Sequence, residues 1–421
     1  MENFPQVKFQ EYRLDNRLQV ILHRDDRVPL VHVSVHYRIG SSYERPGLSG
    51  FAHLFEHMMF QGSENIGKNE HGRHVDMAGG SWNASTNKDR TNYYETLPAH
   101  YLELGLWLEA DRMRSLKVSE ENFENQRQTV IEEKKQSYDN RPYGRAYLRF
   151  DELAYQNWAY AHPVIGSVED LKQATLEDAL GFHRTYYGPG NATLVLSGDF
   201  EEKEALEKIR LYFNSIEDRT APAIPDLSEP QQQEAKTEVI RDPLASLPAL
   251  SIGYHMPAID SPEYYALSVL GLVLSEGESS RFFRRLVRDE NWVTGLSAGP
   301  NEYKGPEIFA LWAQLQNGVE PQRILDTVES LLAEVQEREI PEQEIEKARN
   351  QLAHRFIERL TTVSRVGEWL ARYALYYDDP HMLNRQLERF LSVTAQDIMK
   401  AAQRILGPEN RTLVLVEPAN N

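Results

Sequence analysis

Two segments of the chain carry the same nine-residue pattern. GPGNATLVL begins at Gly188 and GPENRTLVL begins at Gly407, with seven of nine positions identical and an offset of 219 residues. The same offset relates a Thr-x-x-Asp motif at Thr175 to a second one at Thr394. Each copy predicts a helix opened by Thr, a Gly-Pro stop and then a short apolar strand. The repeat therefore indicates two structurally related halves of roughly 200 residues each.

A change in composition marks the junction between the halves. The segment RTAPAIPDLSEPQQQEAKTE, residues 219–238, is rich in Pro and Gln and has neither helical nor strand periodicity. Such a composition is typical of a linker. We therefore predict an N-terminal domain at 1–218, a linker at 219–238 and a related C-terminal domain at 239–421.

Hydrophobic periodicity predicts a mixture of strands and helices in each half. The predicted strands are LQVILHR, LVHVSVHYRIG and ALSIGYHM. The predicted helices are residues 48–59, 102–115, 120–137, 264–274 and 341–361. Strands grouped with helices, without strict alternation, favour the α+β class. We expect two related α/β sandwiches, each an antiparallel-rich sheet with helices on one face.

Charge and composition narrow the class of function. A formal net charge of −18 argues against nucleic acid as the main partner, because phosphate binding needs basic patches. The chain has no cysteine, so any metal must be held by His, Asp or Glu. The N-terminus lacks the basic and apolar regions of a signal peptide, and no apolar run is long enough to span a membrane. The expected compartment is the cytoplasm or the periplasm, since a trimmed leader would leave the same sequence.

The segment His53-Leu-Phe-Glu-His57 carries a metal-binding pattern. On a helix, His57 lies about 40° round from His53 and Glu56 about 60° the other way, so all three leave one face. Two imidazoles at this spacing can bind one zinc ion, and the adjacent carboxylate can act on a water molecule. Leu54 and Phe55 point away and can anchor the helix in the core. The alternative is two surface histidines on an ordinary helix.

A catalytic zinc ion needs a third protein ligand and an open position. The predicted helix ENQRQTVIEEKK offers Glu132 and Glu133. Spacing alone does not choose between them, and a solvated acidic patch is the alternative for both.

Three longer segments make a family resemblance visible. They are GLSGFAHLFEHMMFQGS, GGSWNASTNKDRTNYYETLP and QRQTVIEEKK. With them the sequence resembles the pitrilysin/insulinase family of zinc peptidases, which includes the mitochondrial processing peptidases, over nearly the whole chain. The resemblance implies one zinc ion, hydrolysis of peptide bonds in peptides or unfolded segments, and a chamber formed by two such two-domain halves.

The resemblance also implies roles for individual residues. His53, His57 and Glu133 match the zinc ligands of the family, Glu56 matches its general base, and Glu132 becomes a neighbouring carboxylate outside the ligand set. The segment Asn83, Ala84, Ser85 and Thr86 matches an edge strand that receives the substrate as an added strand, which binds through main-chain hydrogen bonds.

The sequence departs from the family pattern at two positions. Many members carry an acid seven residues before the third ligand, where this chain has Gln126, so the support of the zinc ligands is expected to differ. Members with a complete site also carry an Arg and a Tyr seven residues apart that hold the substrate carbonyl. Arg288 matches the Arg, whereas the Tyr position is Gly295, and Trp292 and Tyr303 are out of register.

These departures imply that the chain works with a partner. The second half has no copy of HLFEH, so one chain supplies one zinc site and an incomplete substrate clamp. The resemblance is to the zinc-bearing subunit of two-subunit bacterial members, whose partner brings the Arg/Tyr pair. A homodimer that manages without the Tyr is one alternative. A non-catalytic structural subunit of the same family is another, and a zinc amidase acting on small molecules is a third.

Overall fold

The computed structural model of the protein describes residues 4–219 and 222–419. In these residues eleven strands form two sheets. The strands are β1 Gln10–Arg13, β2 Gln19–Arg24, β3 Leu30–Tyr37, β4 Ser81–Thr86, β5 Thr91–Pro98, β6 Ala192–Gly198, β7 Lys236–Asp242, β8 Ala249–Met256, β9 Val293–Pro300, β10 Glu307–Leu315 and β11 Arg411–Pro418.

The α-helices are distributed through both halves of the chain. They are α1 Phe51–Met58, α2 Glu70–Met77, α3 Leu102–Ser115, α4 Glu120–Lys134, α5 Gly144–Ala154, α6 Trp158–Ala161, α7 Val168–Gln173, α8 Leu176–Tyr186, α9 Glu202–Phe213, α10 Pro262–Ser275, α11 Pro321–Glu337, α12 Glu342–Arg359, α13 Val363–Tyr377, α14 Gln386–Leu391 and α15 Ala395–Ile405.

The first sheet has six strands in the order β1-β2-β6-β3-β5-β4. Only the β2/β6 pair is parallel, and the other pairs are antiparallel. The central strands β3 and β6 are buried almost throughout because both of their faces are covered, and every residue of β6 is buried. Strand β4 lies at the free edge.

The second sheet repeats this topology with one strand fewer. Its order is β7-β11-β8-β10-β9, and only the β7/β11 pair is parallel. Strands β3 and β8, like helices α8 and α15, are related by the offset of 219 residues. The predicted internal repeat is confirmed, and so is the α+β class with two antiparallel-rich sheets.

The chain divides into two compact units that are not contiguous halves. Unit 1 consists of Met1–Glu132, Pro163–Asp226 and Phe356–Arg385, and unit 2 consists of Glu133–His162, Leu227–Arg355 and Gln386–Asn421. The units therefore exchange helices, since α5 and the short α6 belong to unit 2 and α13 belongs to unit 1. Gly144 and Val363, the first residues of α5 and α13, are 219 residues apart, so the exchange of these two helices follows the repeat. The contiguous domains predicted from the sequence did not include this exchange.

The exchanged helix gives the first sheet a cover on its second face. A Cβ added at Gly105 of α3 would lie 3.1 Å from Val33, whereas one at Gly367 of α13 would lie 2.7 Å from His32. Val33 and His32 are neighbours on β3 and point to opposite faces. The predicted layer of helices on one face is present, and α13 adds a helix on the other.

The observed boundaries of α1, α4 and β7 differ from the predicted ones. Helix α1 begins at Phe51 rather than residue 48, and α4 ends at Lys134 and continues as a π-helical turn over Lys135–Asp139. Strand β7 begins at Lys236, inside the segment predicted as linker, because residues 236–242 pair with β11. Residues 222–235 contain no helix or strand.

Candidate metal centre

Helix α1 is held at a fixed start point. Gly50 precedes it with φ of +87°, and a Cβ at this position would lie 2.8 Å from the carbonyl oxygen of Ile165. The Glu44 carboxylate accepts hydrogen bonds from the backbone N–H groups of Gly50 at 2.8 Å and Ala52 at 2.7 Å. A carboxylate at a helix N-terminus satisfies free donors and complements the helix dipole. These contacts fix the N-terminal end of α1, which precedes His53, Glu56 and His57 in the sequence.

The two faces of α1 divide between core and site. Leu54 and Phe55 are fully buried, as expected, and the Phe55 ring lies 4.9 Å from the ring of Phe182. The hydroxyl of Tyr93 donates to the carbonyl oxygen of Phe55 at 3.2 Å. His53, Glu56 and His57 are only half-buried and share the opposite face. The buried face thus anchors the helix, while the other face stays open to reactants.

Three possible ligands converge at this face. His53, His57 and Glu133 each offer one donor atom, and these atoms all lie within 4.8 Å of one another. The two imidazole rings are 4.9 Å apart between centroids and inclined at 73°, so both can turn a nitrogen toward one point. Glu133 is half-buried near the end of α4, whereas Glu132 is exposed. The geometry distinguishes the two glutamates that spacing alone left open.

The donor set fits zinc. Two imidazole nitrogens and one carboxylate oxygen are the ligands of many catalytic zinc sites, which keep a fourth position for water or substrate. All three side chains are partly accessible, so such a position is open to solvent. Burial, and after it the charge of Glu133, raises the pKa of Tyr138.

Gln126 lies two turns before Glu133 on α4. It is 8% exposed, and its side-chain amide donates to Asn125 Oδ1 at 2.9 Å. It occupies the buried side of the helix as a neutral group.

The segment Asn83–Thr86 lies on β4, the outermost strand of the first sheet. Residues 81–83 are exposed and residues 84–86 are half-buried. The Asn83 side-chain oxygen accepts a hydrogen bond from the Ala84 N–H at 2.9 Å. Trp82 packs against Phe60, just beyond the end of α1, with ring centroids 4.9 Å apart. The strand is therefore a free edge that adjoins the helix of the metal centre.

The remaining predicted site residues lie in unit 2. Arg288 belongs to a π-helical turn, Phe283–Asp289, is 56% exposed and pairs with Asp289 at 2.8 Å. Gly295 lies on β9, and Trp292 immediately precedes that strand. The backbone N–H of Tyr303 donates to the carboxylate of Glu307.

A buried charged cluster was not predicted from the sequence. It consists of His71 on α2, Glu95 on β5, and Glu109 and Arg112 on α3, none of them more than 4% exposed. His71, Glu95 and Glu109 also offer three donor atoms within 4.8 Å of one another. The Arg112 guanidinium pairs with both oxygens of Glu109 and already supplies the positive charge a metal would bring. The signal for this cluster was a Glu in a buried-strand pattern and a Glu/Arg pair in an apolar helix.

No helix in residues 4–219 and 222–419 is both long enough and apolar enough to cross a membrane.

Comparison with known protein families agrees with this geometry. Residues 19–167 match the model of insulinase (peptidase family M16), and residues 173–352 match that of the peptidase M16 inactive domain. The first match contains HLFEH, and the second begins in the same half of the chain and continues to residue 352 of the half that lacks this motif.

Individual relatives extend the likeness over the whole chain. The zinc protease PqqE of Helicobacter pylori is 30% identical, covering 98% of this chain and 93% of its own. The crystal structure of a protease from Helicobacter pylori has a TM-score of 0.93 and 29% identity, covering 98% of this chain and 100% of that one. A putative M16-like peptidase from Alicyclobacillus acidocaldarius, with a TM-score of 0.85, 23% identity and 99% coverage of both chains, shares the fold. The chain therefore belongs to the pitrilysin/insulinase family of zinc proteases, peptidase family M16.

Proposed function

We propose that this chain is a zinc-dependent endopeptidase subunit that hydrolyses peptide bonds in peptides or unfolded segments. The observation that carries the proposal is the convergence of His53, His57 and Glu133, with Glu56 on the same helix face as the histidines. Membership of a family of zinc proteases supports the same chemistry. In the proposal His53, His57 and Glu133 hold one zinc ion.

In the proposed mechanism the metal activates the reactants and Glu56 transfers the proton. Zinc, when bound, supplies a Lewis acid that polarises the scissile carbonyl and acidifies water. The carboxylate of Glu56 accepts the proton of the attacking water and then delivers it to the leaving amide nitrogen. Half-burial of Glu56 keeps this carboxylate accessible to both groups.

Substrate binding is proposed at the free edge of β4. Its outward main-chain groups can pair with an extended peptide, which gives affinity with little demand on sequence. Asn83, Ala84, Ser85 and Thr86 form the binding segment, and the Asn83 side chain that now bonds the Ala84 N–H would give way to a substrate carbonyl. An extended strand at the edge also explains a preference for peptides over folded proteins.

We further propose that a homologous partner subunit completes the site by supplying an Arg/Tyr pair. Arg288 is exposed, and Gly295 leaves the Tyr position without a side chain, so one chain brings an incomplete clamp. The zinc and the partner's donors together would stabilise the developing oxyanion. A homodimer is the alternative assembly.

Zinc binding and turnover test these proposals separately. The purified chain is assayed for bound zinc and for cleavage of a quenched fluorescent peptide. Glu56→Gln should keep the zinc and lower turnover by roughly 10²–10⁴-fold, the usual contribution of a general base. Glu133→Gln should lose most of the zinc, whereas the matched control Glu132→Gln should keep it.

The outcomes separate the alternatives. Zinc without turnover supports the dependence on a partner, which is then sought by co-purification. Zinc with turnover abolished by Glu56→Gln supports a peptidase complete in itself. A chain that binds no zinc, or equal zinc in Glu133→Gln and the wild type, contradicts the proposed centre.

A further inference from the structure

Helix α13 approaches the first sheet very closely at one point. Gly367 has no room for a side chain, since its Cβ would lie 2.7 Å from His32 Cδ2 and 3.4 Å from Ser197 Cβ. The backbone of α13 therefore rests against the sheet, and the next residue, Glu368, is brought to the polar face of β3. That face carries His32 and His36, both at most 1% exposed.

The Glu368 carboxylate joins three donors from two strands. It accepts hydrogen bonds from His32 Nε2 at 3.2 Å, His36 Nε2 at 3.2 Å and Asn92 Nδ2 at 2.6 Å. Burial alone would raise the pKa of Glu368, but the two histidines lower it overall, so the group is a carboxylate. The nearby Thr96 hydroxyl lies 2.9 Å from His32 Nδ1, which fits the tautomer with its proton on Nε2.

The side chain of Asn92 connects Glu368 to strand β4. Its side-chain oxygen accepts from Ser85 Oγ at 2.7 Å and from Arg90 Nη1 at 2.6 Å. Arg90 Nη1 also donates to the backbone carbonyl of Ser85 at 2.8 Å and to its hydroxyl at 2.7 Å. Ser85 and Asn92 are direct partners in the β4/β5 register. A continuous chain of contacts therefore runs from Glu368 to the edge strand.

Glu368 fixes the donating end of the Asn92 amide. An amide has one accepting and one donating end, and the carboxylate can satisfy only the donating end. With Glu368 in place, the oxygen of Asn92 is held toward Ser85 and Arg90. Without it, the buried NH₂ of Asn92 loses the acceptor that fixes this end of the amide, and the side chain is held only through its oxygen.

We infer that Glu368 is a positioning residue for substrate binding, acting through Asn92 on strand β4. The inference rests on the proposed role of β4 in the proposed function. The exchanged helix α13 thus has a function in substrate binding: Glu368, from the C-terminal half of the sequence, fixes the position of strand β4 beside helix α1. None of the hydrogen bonds named above is made by His53, His57 or Glu133, so loss of Glu368 should weaken peptide binding and leave metal and chemistry in place.

The test is steady-state cleavage by Glu368→Gln with a quenched fluorescent peptide, together with bound zinc. The KM should rise about tenfold, as expected for a broken charge-assisted network, while kcat stays within about twofold of the wild type. The matched control is Glu238→Gln, which breaks the 2.9 Å pair between Arg149 of the other exchanged helix and β7. This control should leave both constants unchanged.

A double-mutant cycle identifies the route. If Glu368 acts through Asn92, then adding Glu368→Gln to Asn92→Ala should raise KM no further, and Glu368→Asp should restore part of the loss. The inference is overturned if the two substitutions raise KM additively, or if kcat or the zinc content falls by as large a factor as KM rises. It is also overturned if Glu368→Gln changes KM no more than Glu238→Gln does.

Peptide binding separates this inference from the proposed function. The Kd of a fluorescent peptide is measured in the Glu56→Gln background, with and without Glu368→Gln, so that no turnover is needed. A roughly tenfold weaker Kd supports the positioning role even if the wild type proves inactive as a peptidase, which would count against the proposed function alone. Equal Kd values, or no peptide binding by the parent, overturn the inference.

Discussion

The carboxyl group of Glu95 lies fully buried in unit 1, among groups that disfavour its charge. Burial, and after it the negative charge of Glu109, raises the pKa of Glu95 well above its ordinary value. Arg112, whose charge opposes this rise, is bonded to Glu109. Burial and the charge of Arg112 in turn lower the pKa of His71 well below its ordinary value. A protonated Glu95 and a neutral His71 leave one ion pair in the cluster, which is the least costly arrangement.

Glu95→Gln should therefore flatten the alkaline side of the stability curve. The folded pKa of Glu95 is above its unfolded value, so the unfolded chain ionises first and stability falls as pH rises between the two values. Each pH unit in that window lowers the free energy of unfolding by about 1.4 kcal/mol, and Gln avoids this loss because it does not ionise. Melting temperatures from pH 5 to 9 measure the effect.

The acid side provides the control for Glu95→Gln. His71 is still present in the variant, and its lowered pKa means that stability falls as pH drops below about 6.5 in both proteins. Parallel melting curves at alkaline pH would show that Glu95 is not held protonated.

At the scale of elements, the sequence predicted what local rules determine. Strand β8 and helix α3 have the predicted bounds, so the local sequence was enough to define both elements. The metal helix was found from the spacing of His53 and His57, although its start depends on Gly50 and its contact with Ile165. Contacts between distant segments were not predictable in this way. Glu368 is 276 residues from Asn92, and no local pattern joins them.

The repeated Thr-x-x-Asp motifs are capping boxes in both units. Thr175 accepts from the Asp178 N–H at 3.2 Å, and Thr394 accepts from the Asp397 N–H at 3.2 Å. In each case the aspartate reaches back to the Thr backbone N–H. Such caps satisfy donors that a helix cannot satisfy internally.

Thr175→Ala and Thr394→Ala should each destabilise the protein by about 1 kcal/mol, as usual for a lost N-cap. Because the two caps lie in different units, the effects should add in the double variant. Urea unfolding measures them. Thr185→Ala is the matched control, since Thr185 is exposed on α8 and its hydroxyl donates to the carbonyl oxygen of Gly181 at 2.8 Å, away from the cap. A cap variant no less stable than this control would contradict the prediction.

At the scale of the whole molecule, each compact unit is made from both halves of the sequence. Unit 1 needs α13 to cover the second face of its sheet, and Val366 and Leu370 of that helix are at most 2% exposed. Unit 2 needs α5, whose Phe150 ring lies 2.6 Å from where a Cβ at Gly253 would stand. We therefore expect that the two sides of the linker do not fold separately.

Cutting the linker should consequently leave the protein assembled. A protease site inserted after Ala223 lies upstream of the hydrogen bonds that hold Ser228, Glu229 and Gln232. After cleavage, both fragments should elute together in gel filtration and keep the bound zinc, because the exchanged helices still bury their apolar faces. Denaturant is then needed to part them.

Separate expression supplies the decisive comparison, because the cut protein has already folded when it is cleaved. Residues 1–223 lack α13 and expose the face of β3 that carries His32 and His36, so this fragment alone should bind neither zinc nor peptide normally. Co-expression with residues 224–421 should restore zinc binding to the level of the intact chain. If the first fragment folds and binds zinc alone as tightly as the whole chain, the exchanged helix is dispensable. The two halves of the repeat would then be independent domains, and neither would need a helix of the other in order to fold.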